Sequence, residues 1–560
     1  MTFADWPDAA RAAGGQTGFA DQLAVTLTLT IAGTAHAIPG AAVKALELDL
    51  RSYGFSGSLT FLIADDESQV STVADELFAD FVKPDLIEIA LTVAAVTASP
   101  EAGAIAPIEL SGLVTERAVA ELPLRGDEDP ALMVRRYRIA FADPAQVLWT
   151  QHFPCQLYTD KSMVDVIDDQ RGDKITVRYD FAALSEVQRQ VFLHLPRSAG
   201  ASFGDFLAWY LDGRAGVFSH DYATASYAVT AAKGEDGTIV RLFADDIADA
   251  ELRYPPVPRH APWVLNSYAH GPRTAPSEQA HAQAGIRSDV LLRTPLAQVV
   301  DDEVGLQAKL VAIPCPEAHL AFARMPSGPL APGTMIELAA GDGWSRKSAL
   351  VAGTWRVRRL RLRAVAPSRP LDQDLPSENP RYQIELRAEL ERRDEPRIER
   401  PPFRAPSYPG LVEGKVVSEQ GDEGEPSYQV YRDEETALDE YRVKVPLWDD
   451  QVVCAPCEPI VGAGNVYLPS YRDERVLLAL DVHAATIARL LEWRAGAPLA
   501  MECQGEHLRF GKTDASQTSV NHVYDGDQPV FNVARTHERD RSLIQLREGT
   551  LVLHVKEEEE

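Results

Sequence analysis

The sequence predicts a mainly β protein with a few helices, and three observations carry that prediction. Apolar residues recur with period two. In residues 23–31, Val25, Leu27, Leu29 and Ile31 fall on one side and Thr26, Thr28 and Thr30 on the other, as in a half-buried strand. Gly and Pro are frequent, 36 and 38 in 560 residues, which supplies the turns that many short strands need. Strand-like runs return along the whole length, whereas two stretches read as helices.

The elements follow in order. After residues 23–31, alternating runs at 46–50 and 57–63 continue an antiparallel sheet or barrel, and 85–89, 107–110 and 134–141 repeat the pattern. Asp143-Pro144 breaks the last of these. Ser162 caps a helix over 163–167 with Asp165 in its first turn. In residues 203–211, Phe203, Phe206, Leu207 and Tyr210 form an apolar stripe at helical spacing, read as core packing. Strands are expected at 305–314, 334–338, 349–365 and 382–390, with a Pro-, Ser- and Asp-rich loop at 367–380. The five prolines of 393–409 mark an interdomain linker. Beyond it, runs such as 441–446 and 474–480, with an acidic loop at 418–440, fit a small Greek-key barrel of OB type over about 130 residues. Residues 542–555 form two apolar β segments about Glu548-Gly549, followed by four Glu. A hairpin at a chain end is marginal in water. It packs back on its own barrel or pairs with copies from other subunits.

The bulk properties narrow the function. The net charge of -28 repels a phosphate backbone, so nucleic acid is not an expected partner. Five cysteines cannot all pair within one chain, and no disulfide framework is implied. Residues 1–16 lack the basic and apolar segments of a signal peptide, and no run of about 18 apolar residues occurs. The expectation is synthesis in the bacterial cytoplasm without a signal peptide. A chain of this length holds about two to four domains.

Chemistry is sparse. Cys454-Ala455-Pro456-Cys457 is a C-x-x-C, but a structural zinc takes four ligands; the expectation is no metal and no cofactor. Asp65-Asp66, Asp168-Asp169, Asp245-Asp246 and Asp301-Asp302 are read as solvated turns in polar loops rather than glycosidase carboxylates, which require one acid raised in an apolar pocket. His194, His220, His260, His270 and His281 show no metal spacing. No G-x-S-x-G, H-E-x-x-H or P-loop occurs, so no enzyme is expected.

Landmarks in a particular order resemble a known family. Tyr137 to Phe141, Asp143-Pro144, the segment Tyr158 to Ile167, and Phe203-Gly204-Asp205-Phe206-Leu207 with Gly216-Val217 are similar to a hub. Tyr408-Pro409-Gly410-Leu411-Val412-Glu413-Gly414, Arg442-Val443-Lys444-Val445-Pro446, Val466-Tyr467-Leu468-Pro469 and Glu474-Arg475-Val476-Leu477-Leu478 are similar to the OB-fold, and the run Gln504 to Gly511 to a segment that members carry after it. Together they resemble the VgrG-type hub and spike proteins of contractile injection systems: type VI secretion, extracellular injection systems and phage tails. The Trp-rich stretch usual in the type VI OB-fold is reduced to Trp448 and the distant Trp493, and the terminal β region is short, which is closer to the extracellular or phage-like branch. The resemblance implies a hub of tube-like β-barrels with helical insertions over 1–400, an OB-fold spike base over 401–530, and a short intertwined β-prism or β-helix over 531–560. It implies a homotrimer with Leu543, Ile544, Leu546, Leu551, Val552, Leu553 and Val555 at the trimer interface. Implied partners are the inner tube protein, baseplate proteins, a conical PAAR-like tip protein and effector cargo, within a particle that crosses a target envelope. Two other classes stay open: a cell-wall carbohydrate-active β enzyme, which would need a deep cleft with convergent carboxylates, and a multidomain β binding module or adhesin.

Overall fold

The computed structural model describes residues 18–65, 75–96, 107–124, 132–234, 239–326, 328, 330–367, 380–458, 468–491, 506–513 and 515–557. Val466, Tyr467, Trp493, Cys503, Asp66 and most of the 367–380 loop lie outside them. The chain divides into two compact units: Met1–Phe153 with Ile167–Leu184 and Arg197–Pro406, and Pro154–Val166 with Ser185–Pro196 and Ser407–Glu560.

The elements up to the first helix pair are β1 (Phe19–Ile31), β2 (Thr34–Ile38), β3 (Val43–Arg51), β4 (Gly54–Asp65), α1 (Phe78–Phe81), β5 (Ile87–Ala95), β6 (Ile108–Leu124), β7 (Leu132–Ala142) and α2 (Pro144–Trp149). Next come β8 (Cys155–Ser162), α3 (Met163–Gln170), β9 (Val177–Asp180), α4 (Ala182–Ser185), β10 (Val187–His194), α5 (Phe203–Asp212), β11 (Val217–Asp221), β12 (Ser226–Thr230), β13 (Val240–Arg241) and β14 (Ile247–Arg253). The first unit ends with β15 (Ala261–Asn266), β16 (Arg273–Pro276), β17 (Arg287–Leu292), α6 (Ala297–Leu310), β18 (Glu317–Phe322), β19 (Met335–Glu337), β20 (Thr354–Val365) and β21 (Arg381–Arg392).

In the first unit, strands pair in the circuit β20-β3-β4-β7-β6-β5-β1-β21 and close where β21 meets β20, giving an eight-stranded barrel with no free edge. The alternation in β1 holds: Leu27, Leu29 and Ile31 are buried and meet Phe61, Tyr137, Leu362 and Leu386 in one core. Residues on the outward side of β20 are held by ion pairs instead. Arg359 makes two 2.6 Å bonds to Asp49, and Arg358 bridges Glu317 at 2.6 Å and Glu389 at 2.9 Å. β20 and β21 are long enough to serve twice. Their far ends continue through β19 to β13 and through β18 to β14, a six-stranded half-barrel that shares two strands with the first.

Asp143 joins this barrel to its helices. The expected break is the start of α2, with Asp143 as N-cap and Pro144 at the first helical position. α5 carries a capping box from Ser202 and Asp205, and its stripe is buried as expected. Ser162 and Asp165 make the same reciprocal pair at the start of α3.

Two expectations are corrected. Residues 305–314 are not a strand: 305–310 end α6, which covers one face of the three-stranded sheet β16-β15-β17 through Val300 and Val304. The strand expected over 349–365 begins at Thr354, after a 3₁₀ turn at Ala349–Val351.

The second unit contains the antiparallel pair β8 and β10, β22 (Gly410–Val416), β23 (Tyr431–Arg432), β24 (Asp439–Val445), β25 (Gln451–Pro456), β26 (Arg475–Leu480) and β27 (Ala485–Leu490). The order β25-β24-β22-β26-β27, with β25 lying beside β27, is that of a five-stranded OB barrel. Its core gathers Val443, Val453, Val476, Leu478 and Leu480, with Leu157 and Phe192 from β8 and β10. Two glycines are forced by close approach. A Cβ on Gly410 would lie 2.7 Å from the Phe192 ring, and one on Gly414 would lie 2.6 Å from Val443.

Candidate assembly surface

The last part of the second unit is a five-stranded antiparallel meander: β28 (Glu506–Thr513), β29 (Ser516–Asp525), β30 (Gln528–His537), β31 (Asp540–Arg547) and β32 (Thr550–Lys556). Two-residue turns join β29 to β30, β30 to β31 and β31 to β32. The last is Glu548-Gly549, and Gly549 has φ +66°. A two-residue hairpin of this kind takes glycine because a positive φ matches the strands' twist.

The register sorts the side chains into two unlike faces. One row runs Leu508, Val520, Val533, Ile544, Leu553 across all five strands. The next row on the same face carries His522, Phe531, Leu546 and Leu551. The opposite face carries the row His507, Asn521, Asn532, Gln545, Val552. Its amides form a ladder: Asn532 donates to Asn521 and Gln545 donates to Asn532, each at 2.8 Å.

The apolar face is uncovered. Leu553 is 71% exposed, Leu551 59% and Leu508 57%. Patches of contiguous apolar surface on this scale mark interaction sites. Covering these rows would contribute on the order of 10 kcal/mol, at roughly 1.5 kcal/mol or more for each large side chain.

Of the residues expected at an interface, Ile544, Leu546, Leu551, Leu553 and Val555 share this apolar face. Leu543 pairs with His554, and Val552 with Gln545, on the amide face. Leu508, Val520, Phe531 and Val533 complete the apolar face and lie outside the expected set. The register identifies them, because their strands mix apolar with polar and charged residues.

The other groups singled out in the sequence are structural. Asp168 and Asp169 lie in α3, and Asp301 and Asp302 in α6, rather than in polar loops. Asp246 is buried and paired with Arg324; Asp65 pairs with Arg135 at 2.7 Å and Asp301 with Arg273 at 2.7 Å. Cys454 stands in β25, and burial together with the Glu440 carboxylate pushes its thiol up to about 11, so thiolate chemistry is suppressed at neutral pH. Among the described residues no group of His, Cys, Asp and Glu is placed to hold a metal ion, and no helix is long and apolar enough to cross a membrane.

No family model matches the sequence, and no curated protein matches it. Solved structures do match. A chain of the lidless PdpA–VgrG complex aligns over 97% of this chain and 100% of its own length, with a TM-score of 0.72 at 12% identity. A Francisella PdpA–VgrG complex in its half-lidded form aligns over 98% of this chain and 91% of its own, with a TM-score of 0.72 at 13% identity. The lidded Francisella form gives 0.71 at 13% identity, over 98% and 82%. The chain shares its β-rich fold, over nearly its whole length, with a chain of these PdpA–VgrG complexes.

Proposed function

We propose that this chain is the central hub and spike of a contractile injection system, a structural protein that works as a homotrimer. The observation that carries the reading is the uncovered apolar face of the terminal meander. A sheet with one apolar and one amide face is half of a packed layer, and three copies around an axis can turn the apolar faces inward and leave the amide ladders to water. The fold shared with VgrG over nearly the whole chain supports the same reading. The hub barrels join the inner tube, the OB-fold forms the spike base, and the meander ends the spike under a conical PAAR-like tip protein. The neighbouring structures are complexes of PdpA with VgrG, which supports assembly with a further protein; baseplate proteins and cargo are the other partners of this reading.

The test is the double substitution Ile544→Asp and Leu553→Asp, which places two charges in one row of the apolar face. It is expected to abolish the trimer while the first unit keeps its own cooperative unfolding. A variant that remains fully trimeric and binds its tip would count against this assignment of the face.

A further inference from the structure

We propose that β17, an edge strand of the first unit, takes up an extended segment of another protein as a neighbouring strand. That segment carries an apolar, a basic and an acidic side chain, in this order, at alternate positions. β15, β16 and β17 form a three-stranded sheet with α6 over one face. β17 runs parallel to β15, with Ala261 beside Arg287 and Asn266 beside Leu292. The N–H of Ala261 donates to the carbonyl of Ile286 and that of Ser267 to the carbonyl of Leu292. The even-numbered residues of β17 thus turn their backbone groups to β15, and Arg287, Asp289 and Leu291 turn theirs outward. The N–H and C=O groups of these three residues have no partner among the described residues, and all three residues are exposed.

The other edge of the same sheet is blunted. Pro276 stands opposite Trp263 at an outward position of β16, where it has no N–H to offer. Proline and bulges are two devices by which sheets avoid pairing at their edges, and β17 has neither in its six residues. Its two charges neutralise each other, with Arg287 lying 3.2 Å from Asp289. An open edge of this kind is a template for a strand of another chain: main-chain bonds supply the affinity and alternate side chains the specificity.

The side chains of β17 define the partner. Arg287, Asp289 and Leu291 lie on the face away from α6, in register with Ala261, Trp263 and Leu265 of β15. Arg287 stacks on the Trp263 ring at 4.9 Å, and Leu291 is 71% exposed. An antiparallel strand sets one side chain directly opposite each of the three. Leu291 selects an apolar residue, Asp289 a basic one and Arg287 an acidic one, in that order along the added strand. A second copy of this chain fits poorly. Antiparallel self-pairing through all three outward residues sets Asp289 against Asp289 and Arg287 against Leu291, and each copy brings a net charge of -28. The edge belongs to the first unit alone and is independent of the trimer.

The experiment is fluorescence polarisation of the labelled peptide Ser-Leu-Val-Lys-Thr-Glu-Ser with the full-length protein. Saturable binding is expected. Asp289→Pro, which places a proline where no bond to β15 is lost, should abolish it. Leu291→Lys leaves the backbone edge intact and should weaken binding about tenfold. The peptide with Lys and Glu exchanged should also bind about tenfold more weakly. No saturable binding, or unchanged binding in either variant, overturns the edge as the site. Equal binding of the two peptides overturns the assigned order of side chains. A species of twice the native mass that Asp289→Pro dissociates would give the edge to a second copy and overturn the partner.

Discussion

A Cβ on Gly54 would lie 2.3 Å from Oδ2 of Asp143. The two residues are distant in sequence, and their contact fixes where the barrel ends and its helices begin. Asp143 is almost fully buried; burial holds its carboxyl above the ordinary value, although Tyr227 and backbone amides donate to it. Gly54 has φ +154°, so a side chain there meets both backbone strain and a buried carboxylate. Gly54→Ala should destabilise the first unit by about 2–4 kcal/mol. Asp143→Ala, which removes the acceptor of the Tyr227 O–H and of the Gln146 and Phe55 backbone N–H groups, should cost about 3 kcal/mol. Urea denaturation followed by tryptophan fluorescence checks both; a change below about 1 kcal/mol in either would refute the account of this junction.

His220 makes acid stability a second test. Its ring meets Phe55, Tyr222 and Tyr227 edge-on at 4.6–5.5 Å between centroids, and neither ring nitrogen has a partner among the described residues. Burial pushes its pKa down to about 4, from 6.5. Between those values the unfolded chain binds a proton that the folded chain does not. Stability therefore rises with pH through this window and falls on acidification, by about 3 kcal/mol at pH 4. His220→Phe should remove that slope. An identical pH profile for both proteins would contradict the prediction.

Glu317 acts at lower pH. Burial raises its carboxyl, but Arg358 and Arg397 outweigh this and bring it down to about 2, from 4.5. Its contribution is complete above the unfolded value and is lost as pH falls from 4.5 through about 2. Glu317→Gln should lower stability at pH 7 by about 1–3 kcal/mol and by much less at pH 2. Equal losses at both pH values would show that the ion pairs are not the cause.

Arg472 braces the acidic loop of the OB barrel. Its guanidinium donates to the carbonyls of Ser418 at 2.8 Å and of Gln420 and Asp422 at 2.7 Å each. Arg472→Met keeps the aliphatic stem and removes all three bonds. Residues 418–425 should then exchange amide hydrogens at least about tenfold faster and become the first site of proteolysis, with the barrel strands unchanged.

Much of this architecture is legible in the sequence because it is local. The alternation of β1, the cap at Ser162 and the stripe of α5 each depend on residues within about ten positions. The closure of the barrel is not local: Leu362 sits opposite both Leu48 and Leu386, a pairing no window contains. The error in α6 has a physical cause. Val300 is its one fully buried residue, so the helix has no strong stripe, and the apolar run at its end reads as a strand. The terminal hairpin is legible from Leu543 to Val555, but β29 and β30 are not. Ser, Thr, Asn and Gln on the amide face make strands look like loops until the ladder pairs them. The same ladder decides which apolar residues share a face, and without it Leu543 and Val552 cannot be told from the rest.

The central claim is the homotrimer, and native mass by light scattering on the purified full-length chain tests it most directly. The account predicts three times 61.4 kDa, falling to the single-chain mass in the Ile544→Asp, Leu553→Asp variant. A monomer across the whole accessible concentration range, with the meander folded and its apolar face still open to solvent, would contradict it.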